Sequence, residues 1–136
     1  MKYMLDTNIC IYVIKRKPPE VIKRFEQIEI SYIGISSITL SELVFGTFKS
    51  ANPAQNQLAL TRFAAPLEIW PYGDDIAFTY GHIRAFLESR GTPIGALDLL
   101  IAAHALSMNV TLVTNNEKEF ARVPDLEIEN WVRQSI

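Results

Sequence analysis

The sequence of 136 residues contains one cysteine and no zinc-type spacing of cysteine and histidine. One cysteine cannot form a disulfide within the chain, and a structural zinc site needs several thiolate or imidazole ligands. No apolar run approaches the roughly 18 residues that a membrane span requires. Asp6 and Asn8 interrupt the apolar N-terminus, so we expect no signal peptide there. We therefore expect a cytoplasmic protein without a membrane anchor.

The chain also lacks the motifs of several common enzyme classes. It has no glycine-rich phosphate loop, dinucleotide-binding fingerprint or nucleophile elbow. Its two histidines, His82 and His104, fall on different predicted helices and share no motif with an acid, so we interpret both as structural. The 13 basic and 15 acidic side chains give a net charge of −2, which argues mildly against a nucleic-acid partner. A metal ion bound by several acids would reverse that sign, so composition leaves the partner open.

What the chain does contain is the pattern of one globular domain. Apolar residues make up 49% and charged residues 21%, and no linker or internal repeat divides residues 1–136. Short strand-like segments alternate with helical ones; the strand-like segments are 3–5, 32–35, 67–70, 110–113 and, more weakly, 126–128. This alternation predicts an α/β fold with a mostly parallel central sheet and helices on both faces.

Three acids have apolar neighbours and lie near predicted strand ends. Asp6 follows the first strand, Glu42 lies in a helix flanked by apolar residues on nearly all sides, and Asp98 is the only acid in segment 94–103. Functional groups of parallel sheets gather beyond the carboxyl ends of the strands. A carboxylate among apolar side chains is costly unless it has a cation or a hydrogen-bond partner. Hard divalent cations take carboxylate oxygens, so the pattern predicts a metal site that can act on a phosphoryl group.

Each of these acids also has a purely structural alternative. Asp6 could serve only as the N-cap of the first helix, and Asp98 could serve only to complement the dipole of its own helix. Glu42 could pair with a buried arginine such as Arg62 or Arg84. Only the joint placement of the three acids therefore favours a metal site over these structural roles.

A cluster of basic residues follows the first helix. This basic cluster consists of Lys15, Arg16, Lys17, Lys23 and Arg24. It is either a solvated face at a helix junction or a patch beside the acids that contacts RNA phosphates, because Asp6 begins the same helix. The sequence leaves both alternatives open.

Four segments resemble those of the PIN-domain ribonucleases and, more narrowly, of the VapC toxins of type II toxin–antitoxin systems. They are MLDTN at the start, SSITLSEL around Glu42, GTPIGALDLLIAAHA around Asp98 and LVTNNEKEF near the end. They occur in the family's order and spacing and cover about residues 2–131. The resemblance implies a three-layer α/β/α sandwich and RNA cleavage that depends on Mg²⁺ or Mn²⁺. It makes Asp6 and Asp98 the principal metal ligands, with Glu42 binding metal directly or through water.

The resemblance also assigns roles around the last motif. Many relatives carry an acid at the position of Asn116, whose amide brings no charge, so Glu119 is the expected fourth catalytic acid. Asn8 and Thr114 match positions that support the site by hydrogen bonds, and Asn116 can position a water molecule. The missing charge at Asn116 leaves a second metal ion in question.

The family further implies partners for the chain. It implies a homodimer and a VapB-type antitoxin that covers the active-site groove, with promoter DNA bound only through the antitoxin. Close relatives cleave the anticodon loop of initiator tRNA, which makes tRNA the expected RNA substrate.

Three other function classes compete with this interpretation. A phosphoacceptor signalling domain needs paired acids after its first strand and a lysine after its last, whereas Asp6 stands alone and Lys118 lies on a short helix. A catalytically silent PIN module that binds RNA or a partner is favoured only by Asn116. A DNA-directed structure-specific nuclease shares the fold and the acids, but the small size of the chain argues against it.

Overall fold

The computed structural model describes residues 1–132, so the predicted domain span of 1–136 extends four residues beyond this range. The strands are β1 (Tyr3–Leu5), β2 (Ile33–Ser36), β3 (Glu68–Trp70), β4 (Thr111–Val113) and β5 (Ile128–Glu129). The helices are α1 (Thr7–Lys15), α2 (Pro19–Gln27), α3 (Ser37–Lys49), α4 (Pro53–Ala64), α5 (Ala77–Ser89), α6 (Ala96–Met108) and α7 (Glu117–Phe120). Two 3-10 turns, Ile30–Tyr32 and Asp74–Ile76, precede β2 and α5.

The five strands form one sheet in the order β3-β2-β1-β4-β5, and every neighbouring pair is parallel. Met4 of β1 pairs with Gly34 on one side and with Leu112 on the other. The expected parallel sheet is therefore confirmed. From β1 the chain adds β2 and β3 on one side and then crosses to add β4 and β5 on the other. The strand order thus reverses between β1 and β4, the place where open α/β sheets bind ligands.

Helices cover both faces of the sheet, as expected for a three-layer α/β/α sandwich. Successive side chains of a strand point to opposite faces. Met4 accordingly packs in a cluster with residues of α5, α6 and α7, whereas Leu5 packs with residues of α1 to α4. Helices α3 and α6 belong to opposite layers but contact each other.

Four of the five predicted strands have different boundaries in the structure. The predicted segments 67–70 and 110–113 each begin one residue later, as β3 and β4. The predicted strand 32–35 is β2, one residue later, because Tyr32 closes a 3-10 turn. The weak strand near 126–128 is Ile128–Glu129, where pairing with Leu112 and Val113 fixes the register. Among residues 1–132, no helix has the length and the apolar character to cross a membrane.

Gly34 provides a test of the packing between β2 and β3. A Cβ atom at this position would lie 2.5 Å from the Trp70 ring, whose indole N–H donates to Glu68 at 2.9 Å. We expect Gly34→Ala to lower the free energy of unfolding by about 1–3 kcal/mol, because the buried ring must shift. In the control Gly46→Ala, a Cβ meets nothing within 4 Å on helix α3, so stability should rise by about 1 kcal/mol. Urea unfolding followed by circular dichroism measures both; equal stability of Gly34→Ala and wild type would contradict the packing.

Candidate active site

Asp6 lies at the switch point of the sheet. Its backbone N–H donates to Val113 O at 3.0 Å, which continues the β1–β4 pairing up to the start of α1. Its side chain is the N-cap of α1 and accepts the Ile9 N–H at 2.9 Å and the Asn8 N–H. Asp6 is only 8% exposed. Asp6 is therefore the N-cap of α1, as the structural alternative proposed. Its carboxylate also has a contact outside this helix.

Thr114 provides a further contact from the neighbouring strand end. Its buried side chain hydrogen-bonds the Asp6 carboxylate. Its hydroxyl oxygen also accepts the Asn116 N–H at 2.9 Å. Because an ionised carboxylate can only accept hydrogen bonds, the Thr114 O–H donates to Asp6. Thr114 thus ties the carboxyl end of β4 to that of β1, and it orients the Asp6 carboxylate.

One cavity brings together the three acids singled out from the sequence. Asp6, Glu42 and Asp98 line a space of about 200 Å³ between helices α1, α3 and α6. The rest of the wall consists of Thr7, Asn8, Ile38, Leu97 and Ile101. The three apolar wall residues were not predicted as site residues, because nothing in the sequence distinguishes an apolar side chain at a cavity wall from one in the core.

The prediction that apolar neighbours bury Glu42 is wrong. Glu42 is partly exposed, and the nearby rings of Phe45 and Phe48 are 60% and 69% exposed, so α3 turns much of its apolar surface outward. The proposed arginine partners also lie elsewhere: Arg62 and Arg84 are exposed, and none of the four ion pairs among residues 1–132 includes Glu42. Glu42 therefore keeps a carboxylate without a cationic partner at the cavity wall.

Glu119 joins the site through Asp98 and Asn116 rather than through the cavity wall. The Asn116 side-chain amide donates to Asp98 Oδ2 at 3.4 Å and to Glu119 Oε2. The Asp98 and Glu119 carboxyl groups also hydrogen-bond each other. A backbone N–H, that of Gly95, donates to Glu119 Oε1 at 3.4 Å. Asn116 thus holds two acids together by donating to both.

The acids of the site repel one another. Burial, the hydrogen bond with Glu119 and the negative charges of Glu119 and Asp6 together raise the pKa of Asp98 to about 6, with burial the largest cause. Burial also raises the pKa of Asp6. The Asn116 amide lowers the pKa of Glu119, so the proton shared by the pair stays on Asp98. None of these acids belongs to an ion pair found within residues 1–132. The site therefore has an excess of negative charge.

This excess suits a hard divalent cation. Across residues 1–132, no three carboxylate, imidazole or thiol groups converge as a ready-made metal site. Asp6 and Asp98 are nevertheless close enough for their charges to interact. Mg²⁺ in proteins is commonly held by one or two carboxylates and completes its shell with water and substrate phosphate. The donor chemistry fits such an ion, with Asp6 and Asp98 as the pair that would hold it.

The basic cluster lies away from this cavity. Lys15 ends α1 while Asp6 begins it, and a rise of 1.5 Å per residue places them about 14 Å apart along the helix axis. Arg16 and Arg24 each pair with a glutamate, at 3.2 and 3.6 Å. The three lysines of the cluster are exposed. The cluster is therefore a helix length from the acids and not at the cavity rim.

Comparison with known proteins assigns the family. The PIN domain model matches residues 3–126. The chain belongs to the PIN-domain family. Ribonuclease VapC2 of Rickettsia felis is 48% identical to it over 132 residues, which cover 96% of this chain and 98% of the relative. The tRNA(fMet)-specific endonuclease VapC of Salmonella typhimurium is 45% identical over 131 residues, with coverage of 96% and 98%.

A solved structure agrees with this assignment. The crystal structure of VapBC2 from Rickettsia felis, bound to a DNA fragment from its promoter, matches with a TM-score of 0.90 and 47% identity. The match covers 96% of this chain and 99% of that one. These relatives place the chain among the VapC ribonucleases, so it is a nuclease of a family whose members generally depend on divalent metal ions.

The raised pKa of Asp98 gives a pH-dependent prediction. The folded state holds this proton with a pKa of about 6, whereas the ordinary value is 3.8. Protonated Asp98 therefore stabilises the folded state. This contribution is complete at a pH below the ordinary pKa and is lost as the pH rises through the pKa of the folded state. Without divalent ions, Asp98→Asn should therefore match wild type near pH 4 and melt about 3 °C higher at pH 7.5. That shift corresponds to ~1 kcal/mol after allowance for solvent screening.

Differential scanning calorimetry in EDTA measures this difference. Asp125→Asn is the matched control, because Asp125 is exposed and precedes β5 at the opposite end of the sheet from the acids. This variant should follow wild type at both pH values. A melting temperature of Asp98→Asn at or below that of wild type at pH 7.5 would contradict the raised pKa of Asp98.

Proposed function

We propose that the chain is the toxin of a type II toxin–antitoxin pair and that it cleaves tRNA with Mg²⁺ or Mn²⁺ held by Asp6 and Asp98. The observation that carries this proposal is the meeting of these two carboxylates, neither of which forms an ion pair within residues 1–132, where the strand order reverses. The Salmonella relative, named as a tRNA(fMet)-specific endonuclease, supports initiator tRNA as the substrate. Since tRNA is cytoplasmic, the expected location of the chain belongs to the same proposal.

The chemistry is hydrolysis of a phosphodiester by an activated water molecule. A bound divalent ion would acidify that water and stabilise the charge that develops on the phosphoryl group. Thr114 holds the Asp6 carboxylate in a fixed orientation. Asp98 ligates only as a carboxylate, so it must release the proton that it shares with Glu119. We expect Glu42, which lies on the cavity wall, to orient the attacking water.

The proposed partner is a VapB-type antitoxin. The similar Rickettsia felis structure is a VapBC complex bound to promoter DNA. An acidic cavity suits a basic side chain from such a partner, because none of its acids is in an ion pair with another described residue of the chain. The sequence resembles no helix-turn-helix or other DNA-reading motif, so we assign contact with promoter DNA to the antitoxin. A homodimer of the chain completes this proposal.

The alternative of a catalytically silent module loses its only support. That support was the uncharged Asn116, which in the structure donates to both Asp98 and Glu119. An amide that donates to both acids holds them in position, so the missing charge at Asn116 does not by itself indicate an inactive site.

Removal of either principal carboxylate should abolish cleavage. Asp6→Asn and Asp98→Asn each remove a negative charge that would hold the ion, so we expect losses of several kcal/mol in transition-state stabilisation, on the order of 100-fold or more in rate. Purified chain is incubated with total tRNA in Mg²⁺ or in EDTA, and the fragments are mapped by sequencing. Discrete fragments from a few tRNAs should disappear in EDTA and in both variants.

Asp125→Asn serves as the matched control for this assay, since it makes the same chemical change outside the site and should cleave like wild type. Undiminished cleavage by Asp6→Asn and Asp98→Asn would show that the chemistry takes place elsewhere.

Glu119 should matter less than Asp98. It does not line the cavity and reaches the site through Asn116 and Asp98. If one ion suffices, Glu119→Gln should lower kcat by about tenfold, the effect typical of groups that support metal ligands. Glu127→Gln is the control, because Glu127 is exposed. Single-turnover cleavage measures both. A loss in Glu119→Gln equal to that in Asp98→Asn would indicate two essential ions.

The basic cluster should contribute to binding and not to chemistry. Lys15 and Lys17 are exposed, so each can contact one phosphate. In an Asp6→Asn background that prevents cleavage, Lys15→Gln with Lys17→Gln should reduce the slope of log affinity against log salt by about 1.4, or ~0.7 per phosphate contact. The control pair Lys49→Gln and Arg90→Gln removes the same charge elsewhere. Equal salt slopes for the two pairs of variants would show that the basic cluster is only a solvated surface.

A further inference from the structure

A buried polar pair lies behind the acid cavity. His104 and Ser36, 1% and 0% exposed, hydrogen-bond at 2.9 Å between Nδ1 and Oγ. Burial lowers the pKa of His104, which keeps the imidazole neutral. The Ser36 oxygen also accepts the Ile38 N–H at 3.0 Å and thereby caps α3. This serine thus joins the end of β2, the start of α3 and the middle of α6 at one buried point.

The pair is also enclosed from the side of β3. The Tyr72 ring meets the His104 ring edge-on, with centroids 5.5 Å apart and an angle of 84°. The Tyr72 backbone N–H donates to Ser37 Oγ at 3.0 Å. His104 therefore has contacts on the strand, helix and loop sides, and its ring has a defined position.

The position of this pair along the two helices relates it to the acids. Ser36, the N-cap of α3, precedes Glu42 by six residues, and His104 follows Asp98 by six residues on α6. Because Ser36 contacts His104 and both acids line the same cavity, the two helices run in opposite directions along their contact. Ile38 and Ile101, which belong to the cavity wall, lie between the polar pair and the acids in sequence on each helix.

We propose that the His104–Ser36 hydrogen bond is a positioning device that sets how far α6 slides along α3, and hence the separation of Asp98 from Glu42 and Asp6. A helix transmits an axial shift along its length, and six residues span only about 9 Å. A slip at His104 therefore moves Asp98 by nearly the same distance. A misplacement of about 1 Å at reacting groups can lower a rate 100-fold. His104 acts here through Asp98, as a positioning residue.

This inference rests on the proposed metal site, so its test measures metal binding as well as cleavage. His104→Leu removes the hydrogen bond and keeps an apolar side chain. We expect its dissociation constant for Mn²⁺, measured by electron paramagnetic resonance without RNA, to rise about tenfold or more. The kcat for tRNA cleavage should fall by a similar factor, while KM stays within twofold, because the RNA-binding surface is unchanged.

Two amide variants separate positioning from general stability. His104→Asn places an amide atom where Nδ1 stood and should restore Mn²⁺ affinity and kcat to within about threefold of wild type. His104→Gln carries its amide one bond further out and should not. If His104→Leu does not fold, the comparison of His104→Asn with His104→Gln is sufficient to test the positioning role. Val21→Ala, in the core layer on the other face of the sheet, is the control for lost stability and should keep wild-type Mn²⁺ affinity.

The outcomes distinguish this inference from the function on which it rests. Mn²⁺ binding by wild type that His104→Leu and His104→Gln retain unchanged would overturn the positioning role alone. An equal loss of Mn²⁺ affinity in Val21→Ala would also overturn it, because general destabilisation would then explain the effect. Failure of wild type to bind Mn²⁺ would overturn both this inference and the proposed metal site.

Discussion

The hydrogen bond between Thr114 and Asp6 joins the two strand ends on which the rest of the site depends. It spans β4 and β1, between which the order of the parallel sheet reverses. Parallel strands bring their carboxyl ends to one edge, and the reversal opens a crevice there because successive helices leave in opposite directions. Asp6 is held in that crevice by its cap on α1 and by Thr114. The site is completed when Glu42 and Asp98 are positioned next to this fixed carboxylate.

The two helix layers supply these other acids from opposite faces of the sheet. Helix α3 contributes Glu42 from one layer and α6 contributes Asp98 from the other, and the contact between the helices closes the cavity. Burial and, after it, the resulting crowding of carboxylates raise the pKa of Asp98, and both oppose folding at neutral pH. Binding sites commonly trade stability for function in this way. A divalent ion or a basic residue of a partner would relieve the same repulsion, which is why inhibition by a partner and catalysis by a metal can use one cavity.

Much of this arrangement could be predicted from local sequence. The alternation of strands and helices gave the parallel sheet, and the placement of Asp6 and Asp98 after strand and turn residues pointed to the edge where they meet. The surroundings of Glu42 could not be predicted, because hydrophobic residues such as Phe45 and Phe48 look the same in sequence whether they face a core or solvent. The role of Asn116 as donor to two acids, and the pairing of His104 with Ser36, depend on contacts between distant segments.

The central claim is that Asp6 and Asp98 together hold a divalent ion at the reversal of strand order. Crystals of the chain soaked in Mn²⁺ and measured at the manganese absorption edge test it most directly. The account predicts an anomalous peak within ligating distance of both carboxylates, and no such peak in Asp98→Asn crystals. A peak at another set of side chains, or no peak in a preparation that cleaves RNA, would contradict it.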